Sequence, residues 1–559
     1  MRSSLGCAVQ CVMLLAAHST AAAADPDPAL IAMIVPRAAD GTVSNAMPTD
    51  RELEGRNAHI GDIQIVVDDV FEQPQRLSAP YRIVNSLHVG TREATITQQL
   101  LFRHGDQFNR RVLAETERLL REQRYLNDAS IEVVRYHDDN TVDVQVRVHD
   151  VWTLSPGFSF GRKGGENSSK VKFEDSNFLG LGKRLSLARS QDVDRSSWQL
   201  AYLDPHLFGS WWQLSTAHST LSDGANLELQ VRRPFYSLDS RWSAAVTASD
   251  STTRESRYSL GKALEPINMH ERLASIDAGV SRGLTDGWAK RYLFGLRSEE
   301  QSFMPTPDDP RAVLPENRRF VYPYVGLQWI EDAYVRTRNL DQIGRTEDLH
   351  LGRSLDFTAG WASSGLGSSR NALMLNASAS AGSELCEGQY LTGTLGMKSR
   401  IEHDGLRNAT LDVGGHYYLR QSEHRVLFAA ADATWSSQLD PERQLLLGGD
   451  NGLRGYPLRY QAGASRALFT LEERFYTNWQ PLKLVNVGAA IFVDAGRTWG
   501  KDANAAQPAG WLADAGIGLR LGSARSGLGN ILHIDLALPL NRTSDIDGMQ
   551  LLIETKRSF

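Results

Sequence analysis

The chain has 559 residues, 41% hydrophobic and 23% charged, which suits a folded protein and excludes a disordered or collagen-like one. Its formal net charge of −6 argues against a general nucleic-acid binder, which needs a basic face. Mean hydropathy is −0.34 and no run of about 18 apolar residues follows the N-terminus, which excludes a helical membrane protein but leaves a β-barrel open.

Residues 1–24 carry one basic residue (Arg2), an apolar stretch from about Leu5 to Ala17 and a tail of small residues, the order of a secretory signal peptide. Its removal takes Cys7 and Cys11 and leaves Cys386 as the lone thiol, so no internal disulfide and no cysteine-based metal cluster is expected. Residues 25–58, rich in Asp, Pro and Ala, read as a flexible linker.

Residues 59–150 read as a small α+β module. HIGDIQIVVDDVF suggests a strand, TREATITQQLLFRHG and NRRVLAETERLLREQRYL suggest two helices, and ASIEVVRYH and TVDVQVRVHD suggest two strands around an Asp-Asp-Asn turn at 138–140. One sheet with helices on one face follows from that order.

From Val151 to residue 559 the pattern changes to segments of about ten residues that alternate apolar with polar or small. In GWLADAGIGLRLG, Trp511, Ala513, Ala515, Ile517, Leu519 and Leu521 share one face, and Asp514, Gly516, Gly518 and Arg520 the other. ATLDVGGHYYLR behaves likewise, with Asp412, Gly414, His416 and Arg420 on the wet side. Some 400 residues of such alternation after an export signal predict a transmembrane antiparallel β-barrel, because only closure satisfies every strand hydrogen bond in lipid. About 20 candidate strands can be counted, and the number must be even if both ends of the barrel lie on one side. A long connection at about 436–464 is expected outside the cell.

Enzyme motifs are weak. The GxSxG pattern at 157–161 precedes a polar turn rather than a helix, so Ser159 reads as an ordinary strand residue. Leu-Gly-Leu-Gly-Lys at 179–183 lacks the spacing of a phosphate loop, and no HExxH or EF-hand pattern occurs. His416 and His533 fall on the wet face near Asp412 and Asp535, without a serine to complete a catalytic set. The expectation is a protein that is not an enzyme, with no catalytic residue, cofactor or metal.

Three segments are more specific: GGDNGLRGYP at 448–457, IFVDAG at 491–496, and the last strand, MQLLIETKRSF, ending in Phe559. Together they resemble the BamA/TamA superfamily of barrels with periplasmic POTRA modules. The resemblance implies an extracellular loop whose Arg-Gly-aromatic tip folds into the lumen, where its arginine meets an aspartate of a Phe-x-Asp-x-Gly strand. The matching residues are Arg454, Gly455 and Tyr456, then Phe492, Asp494 and Gly496, with Phe559 as the C-terminal strand signal. Glu472, Arg474, Asp514, Arg520 and Asp535 are the supporting polar residues of the lumen, and Asp514 and Asp535 are possible rivals for Arg454. A guanidinium suits a buried carboxylate because its planar fork matches it bidentately.

The resemblance also implies 16 strands, fewer than the alternation suggests, and a POTRA-like fold for residues 59–150. The chain has room for one such module, fewer than BamA or TamA carry. The implied function is insertion of β-barrel proteins into the bacterial outer membrane, or passage of a polypeptide across it. The implied partners are unfolded outer-membrane or secreted polypeptide clients, outer-membrane lipids and accessory periplasmic proteins or lipoproteins, with no nucleic acid. The alternatives are a two-partner-type secretion pore, and a surface antigen or passive pore without insertase activity.

Overall fold

The computed structural model describes residues 47–70, 89–307, 309–310, 313–500, 510–524, 530–542, 544, 546–556 and 558. The signal-peptide reading and Phe559 lie outside them. Thr49–Phe559 form one unit.

The N-terminal module runs α1 (Asp50–Gly55), β1 (His59–Asp68), α2 (Glu93–Thr97), α3 (Arg110–Arg121), β2 (Leu126–Tyr136) and β3 (Thr141–Asp150). Its sheet has the order β1-β3-β2, with β3 parallel to β1 and antiparallel to β2. Alternation along β3 turns Val142, Val144, Val146 and Val148 inward, and Leu113 and Leu120 of α3 join them in the core. The Asn109 side chain caps α3 by accepting from Arg111 N at 3.0 Å.

Two expectations need correction here. The stretch read as linker to residue 58 ends in helix α1, because the Glu52 carboxylate accepts from Thr49 N (2.8 Å) in a capping box and Leu53 is buried in the module's core. The first of the two expected helices is shorter than its sequence pattern and stops at Thr97.

The barrel begins with β4 (Leu154–Lys163), β5 (Glu166–Phe178), β6 (Lys183–Gln191), β7 (Ser196–Asp204), β8 (Gln213–Leu221) and β9 (Gly224–Arg233). Longer strands follow: β10 (Trp242–Ser259), β11 (Lys262–Thr285), β12 (Trp288–Pro305) and β13 (Arg318–Glu331). A separate hairpin, β14 (Tyr334–Arg338) and β15 (Thr346–His350), precedes β16 (Ser354–Ala362), β17 (Ala372–Cys386), β18 (Gln389–Glu402), β19 (Gly405–Ser422) and β20 (Arg425–Ser437). The long connection holds a two-stranded ribbon, β21 (Leu445–Leu447) and β22 (Gln461–Gly463). The chain ends with β23 (Ser465–Tyr476), β24 (Val485–Trp499), β25 (Leu512–Ser523), β26 (Ile531–Pro539) and β27 (Gln550–Lys556).

Twenty of these strands close an antiparallel barrel in which β27 returns to β4. The 16 implied by resemblance is therefore too few: all the alternating segments enter one sheet, and none forms a separate hairpin on the outside. Sidedness follows the alternation. Ile491 and Val493 are exposed toward lipid, while Phe492 and Asp494, which alternate with them, are buried in the lumen.

The module sits at the end of the barrel that carries the β5–β6, β9–β10 and β13–β16 connections, called here the module end; residues 438–464 lie at the opposite, loop end. Arg111, Glu115, Arg118 and Arg121 recur at helical spacing along one face of α3. Glu115 accepts from Leu238 N (2.7 Å), Arg111 pairs with Asp239, and Arg118 reaches Asp332 (3.3 Å). Burial pushes the Glu115 carboxyl up, against the Leu238 N–H and the two arginines that pull it down. On the other side of the module, Asp150 accepts from Thr91 N at 2.7 Å and Asn177 of β5 donates to Thr91 Oγ1 at 2.7 Å.

Truncating Leu120 to Ala leaves a cavity in the module's core and is expected to lower its stability by about 2–5 kcal/mol. Trypsin sensitivity of the detergent-embedded protein, followed through a urea series, would show the module cleaved at lower urea while the barrel stays intact.

Candidate functional site

The loop 438–464 enters the lumen because its tip carries a charge that the barrel wall can match. Gly449 N donates to Pro457 O (2.9 Å) and Leu453 N to Gly448 O (3.0 Å), so the tip is a compact fold of its own. Leu453 and Tyr456 are fully buried and pack with Leu447, Tyr460 and Leu512.

Arg454 is the centre of the site. Its Nε donates to Asp494 Oδ2 at 2.7 Å and its Nη2 to Asp494 Oδ1 at 3.0 Å, a bidentate pair with a fully buried carboxylate. Nη1 donates to Glu472 Oε2 at 3.1 Å and lies 3.5 Å from Asp535 Oδ2. The guanidinium carbon stands 3.3 Å above the centre of the Phe492 ring, so the aromatic of the Phe-x-Asp-x-Gly strand is the floor of the arginine pocket. Thr470 Oγ1 donates to Asp494 Oδ1 at 2.8 Å and completes the carboxylate's shell.

Of the expected rivals, Asp535 shares Arg454 at 3.5 Å but is paired more closely with Arg520. Asp514 accepts from Gly455 N at 3.0 Å and so holds the loop backbone next to the arginine. Arg474 donates through Nε to Glu472 Oε1 at 3.1 Å. The three arginines 454, 474 and 520 and the carboxylates of Glu472, Asp494 and Asp535 thus form one network, with Arg520 Nη2 also 3.7 Å from Glu472. In a low-dielectric wall such a network resists breaking at any one member, since the remaining charges stay buried and unpaired.

Both motif glycines are explained by close approach. Gly455 lies in the turn that Tyr456 N closes by donating to Leu453 O at 3.1 Å, and a Cβ on it would meet Asp514 Cβ at 2.7 Å and Pro539 N at 3.1 Å, so this residue lets the turned loop lie on the wall. A Cβ on Gly496 would stand 2.8 Å from Leu447 Cδ2. The Tyr456 hydroxyl lies 2.9 Å from Ala513 O and Asn541 O and accepts from Ala513 N at 3.2 Å.

Sequence reasoning missed the loop's other anchors. Asp440 takes a bidentate pair from Arg400, with Nη2 at 2.9 Å and Nη1 at 3.3 Å, and Arg318 pairs with Glu442. On the far side, Arg459 donates to Asp194 Oδ1 at 2.8 Å and lies 4.3 Å over the Tyr258 ring. The loop also covers the β4–β5 turn, where a Cβ on Gly164 (φ +53°) would clash with Leu458 N at 2.3 Å. Acidic residues opening a long loop were the available signal, but nothing local says which distant strand they meet.

The residues weighed as enzymatic are parts of the wall. His533 Nε2 lies 2.9 Å from Ser558 O, Asp412 accepts from Thr434 Oγ1 at 2.8 Å, and Ser159 sits within β4.

A closed barrel with its own loop pinned in the lumen defines the class of protein: a transmembrane β-barrel whose lumen is internally braced. Residues 356–555 match the Omp85 superfamily domain, so the BamA/TamA resemblance of the motifs holds and the barrel is of the bacterial outer-membrane type. No curated protein matches the chain. Among solved structures it is similar to BamA from Haemophilus ducreyi lacking POTRA domains 1–3, at 13% identity and a TM-score of 0.37, covering 89% of this chain and 85% of that one. CdiB from Acinetobacter baumannii gives 12% and 0.43, over 89% and 73%. CdiB from Escherichia coli gives 13% and 0.44, over 89% and 76%.

Arg454→Ala leaves Asp494 buried without its partner and should destabilise the docked loop by about 3–5 kcal/mol. The folded band in a heat-modifiability gel should then convert at a lower temperature than in the parent, and the Arg454→Ala/Asp494→Ala double variant should recover part of the difference.

Proposed function

We propose that this protein moves polypeptide as an outer-membrane insertase or translocase, assembling barrel proteins into the membrane or passing a chain across it, and that it performs no covalent chemistry. The observation that carries this reading is the seam. β26 and β27 are paired from Ile531–Lys556 to Ala537–Gln550, whereas β27 meets β4 in register only at Ile553–Arg162 among the described residues. An under-paired edge in lipid is a template for another strand, because main-chain donors and acceptors there seek partners.

The pinned loop lies across this seam. It touches the β4–β5 turn on one side through Gly164, and on the other it is bonded to Asp494, Ala513, Asp514 and Asn541. In this reading the Arg454–Asp494 pair sets the resting geometry of the two seam strands, and the module faces the periplasm and offers an exposed strand edge to an unfolded client.

A cysteine pair at positions 162 and 553, with Cys386→Ser to remove the native thiol, tests the seam. Antiparallel register partners stand about 4.5–5.5 Å apart at Cα, within reach of a disulfide. Oxidised Arg162→Cys/Ile553→Cys protein is expected to lose client insertion into liposomes and to regain it on reduction. Equal insertion in both states would overturn the proposal. Arg454→Ala is expected to lower insertion while heat-modifiable folding persists.

A further inference from the structure

The connection 332–353, between β13 and β16, is by far the longest at the module end, and it carries the β14–β15 hairpin. The tip of this hairpin does not lie at the barrel rim. Leu340 and Ile343 are buried against inward-facing residues of the wall, among them Tyr390, Tyr418, Val426, Phe428, Tyr476 and Ile531. An apolar ring on the inner wall of a lumen lined elsewhere by charge is unexpected unless something dry covers it.

Polar contacts fix the depth of insertion. Leu340 O accepts from Arg474 Nη1 at 2.6 Å and from the Tyr476 hydroxyl at 2.8 Å, and Ile343 O accepts from Asn486 Nδ2 at 2.8 Å. Asp341 accepts from Arg474 Nη1 at 3.1 Å and from the Tyr418 hydroxyl at 3.0 Å. Glu347 folds the tip by accepting from Leu340 N and Asp341 N at 2.8 and 2.9 Å. Toward the loop end the lumen widens into a polar cavity of about 830 Å³ lined by residues such as Arg272, Glu299 and Lys398.

Arg474 is the same arginine that bridges to Glu472, and Glu472 bridges to Arg454. One unbroken chain of ion pairs therefore runs Asp341–Arg474–Glu472–Arg454–Asp494, from the hairpin at one end of the lumen to the loop entering from the other. At its base the hairpin is gripped by the module. Arg121 of α3 pairs with Asp348 bidentately, both bonds at 2.8 Å, Glu117 pairs with Arg336, and Arg118 lies 4.2 Å over the Tyr334 ring.

We infer that the β14–β15 hairpin is a plug for the module end of the lumen, held in by α3 and coupled through Asp341–Arg474–Glu472–Arg454 to the loop that closes the other end. Withdrawal of the hairpin takes the Asp341 carboxylate and the Leu340 carbonyl from Arg474 and leaves it leaning on Glu472, the carboxylate it shares with Arg454, which loosens the loop. The two closures then release together as a two-state element rather than one at a time. The module thereby becomes the handle of the gate, since any movement of α3 pulls on Asp348 and Arg336.

The test needs no client, so its outcome is independent of the insertion reading. In a Cys386→Ser/Leu453→Cys background the thiol sits on the loop's own tip, where docking buries it and protects it from a soluble maleimide. Asp348→Asn, at the base, and Leu340→Asp, at the tip, are each expected to raise single-channel conductance in planar bilayers. Each should also raise labelling at position 453 about tenfold or more, although both substitutions lie far from that thiol. The charge swap Arg121→Asp/Asp348→Arg should restore low conductance and protection, which a folding defect would not. Unchanged conductance in both variants would overturn the plug. Raised conductance with the thiol still protected would overturn the coupling.

Discussion

Lipid offers no hydrogen bonds, and the whole architecture answers that constraint. Twenty strands must close on one another because any open edge would leave a row of donors and acceptors unsatisfied in hydrocarbon. Closure is complete everywhere except between β27 and β4, where pairing is reduced to Ile553–Arg162 among the described residues. The least satisfied hydrogen bonds of the sheet are thus gathered at one place. That place is flanked by the loop pinned in the lumen and by the C-terminal strand's ion pairs, Glu554 with Lys163 and Lys556.

Closing a barrel this wide creates a second problem, since its lumen must be filled or flooded. Here it is filled at both ends by polar segments that carry charges into the wall. Buried ion pairs contribute little net stability, yet removing one partner is costly, so they act as registration devices more than as glue. Arg454 illustrates this: its fork is satisfied by Asp494 and Glu472, its face by Phe492, and no other position of the loop would satisfy all three. The same logic, repeated at Arg474, ties the hairpin to the loop. A rigid pore would need neither.

The candidate site was readable to the extent that it follows alternation. Phe492, Asp494 and Gly496 share a face because strand residues two apart always do, and the same rule put Asp514, Arg520 and Asp535 inside. The bidentate match between Arg454 and Asp494 was suggested by motif resemblance and by the fork geometry of arginine. The hairpin was not readable. YVRTR and TEDLH have no strong strand pattern, and Leu340 and Ile343 look like ordinary turn-flanking residues until aromatic and aliphatic side chains from six barrel strands surround them. Helix α1 has its capping box in Thr49 and Glu52, but it is only six residues long and follows a Pro- and Asp-rich stretch with the composition of a linker.

Sequence alone therefore determined the class of fold, the alternating segments of the barrel and their inward and outward faces, while the count of twenty strands came from the closed sheet. These depend on side-chain period, and period is a local property carried by neighbours in the chain. It did not determine closure at β27–β4, the partners of Asp440, Arg459 and Asp348, or the plugging of the module end. Those depend on which segments distant in sequence are brought face to face when the sheet curls shut. A buried charge or an apolar loop tip is stable only against the particular wall it meets, and that wall exists only in the folded barrel.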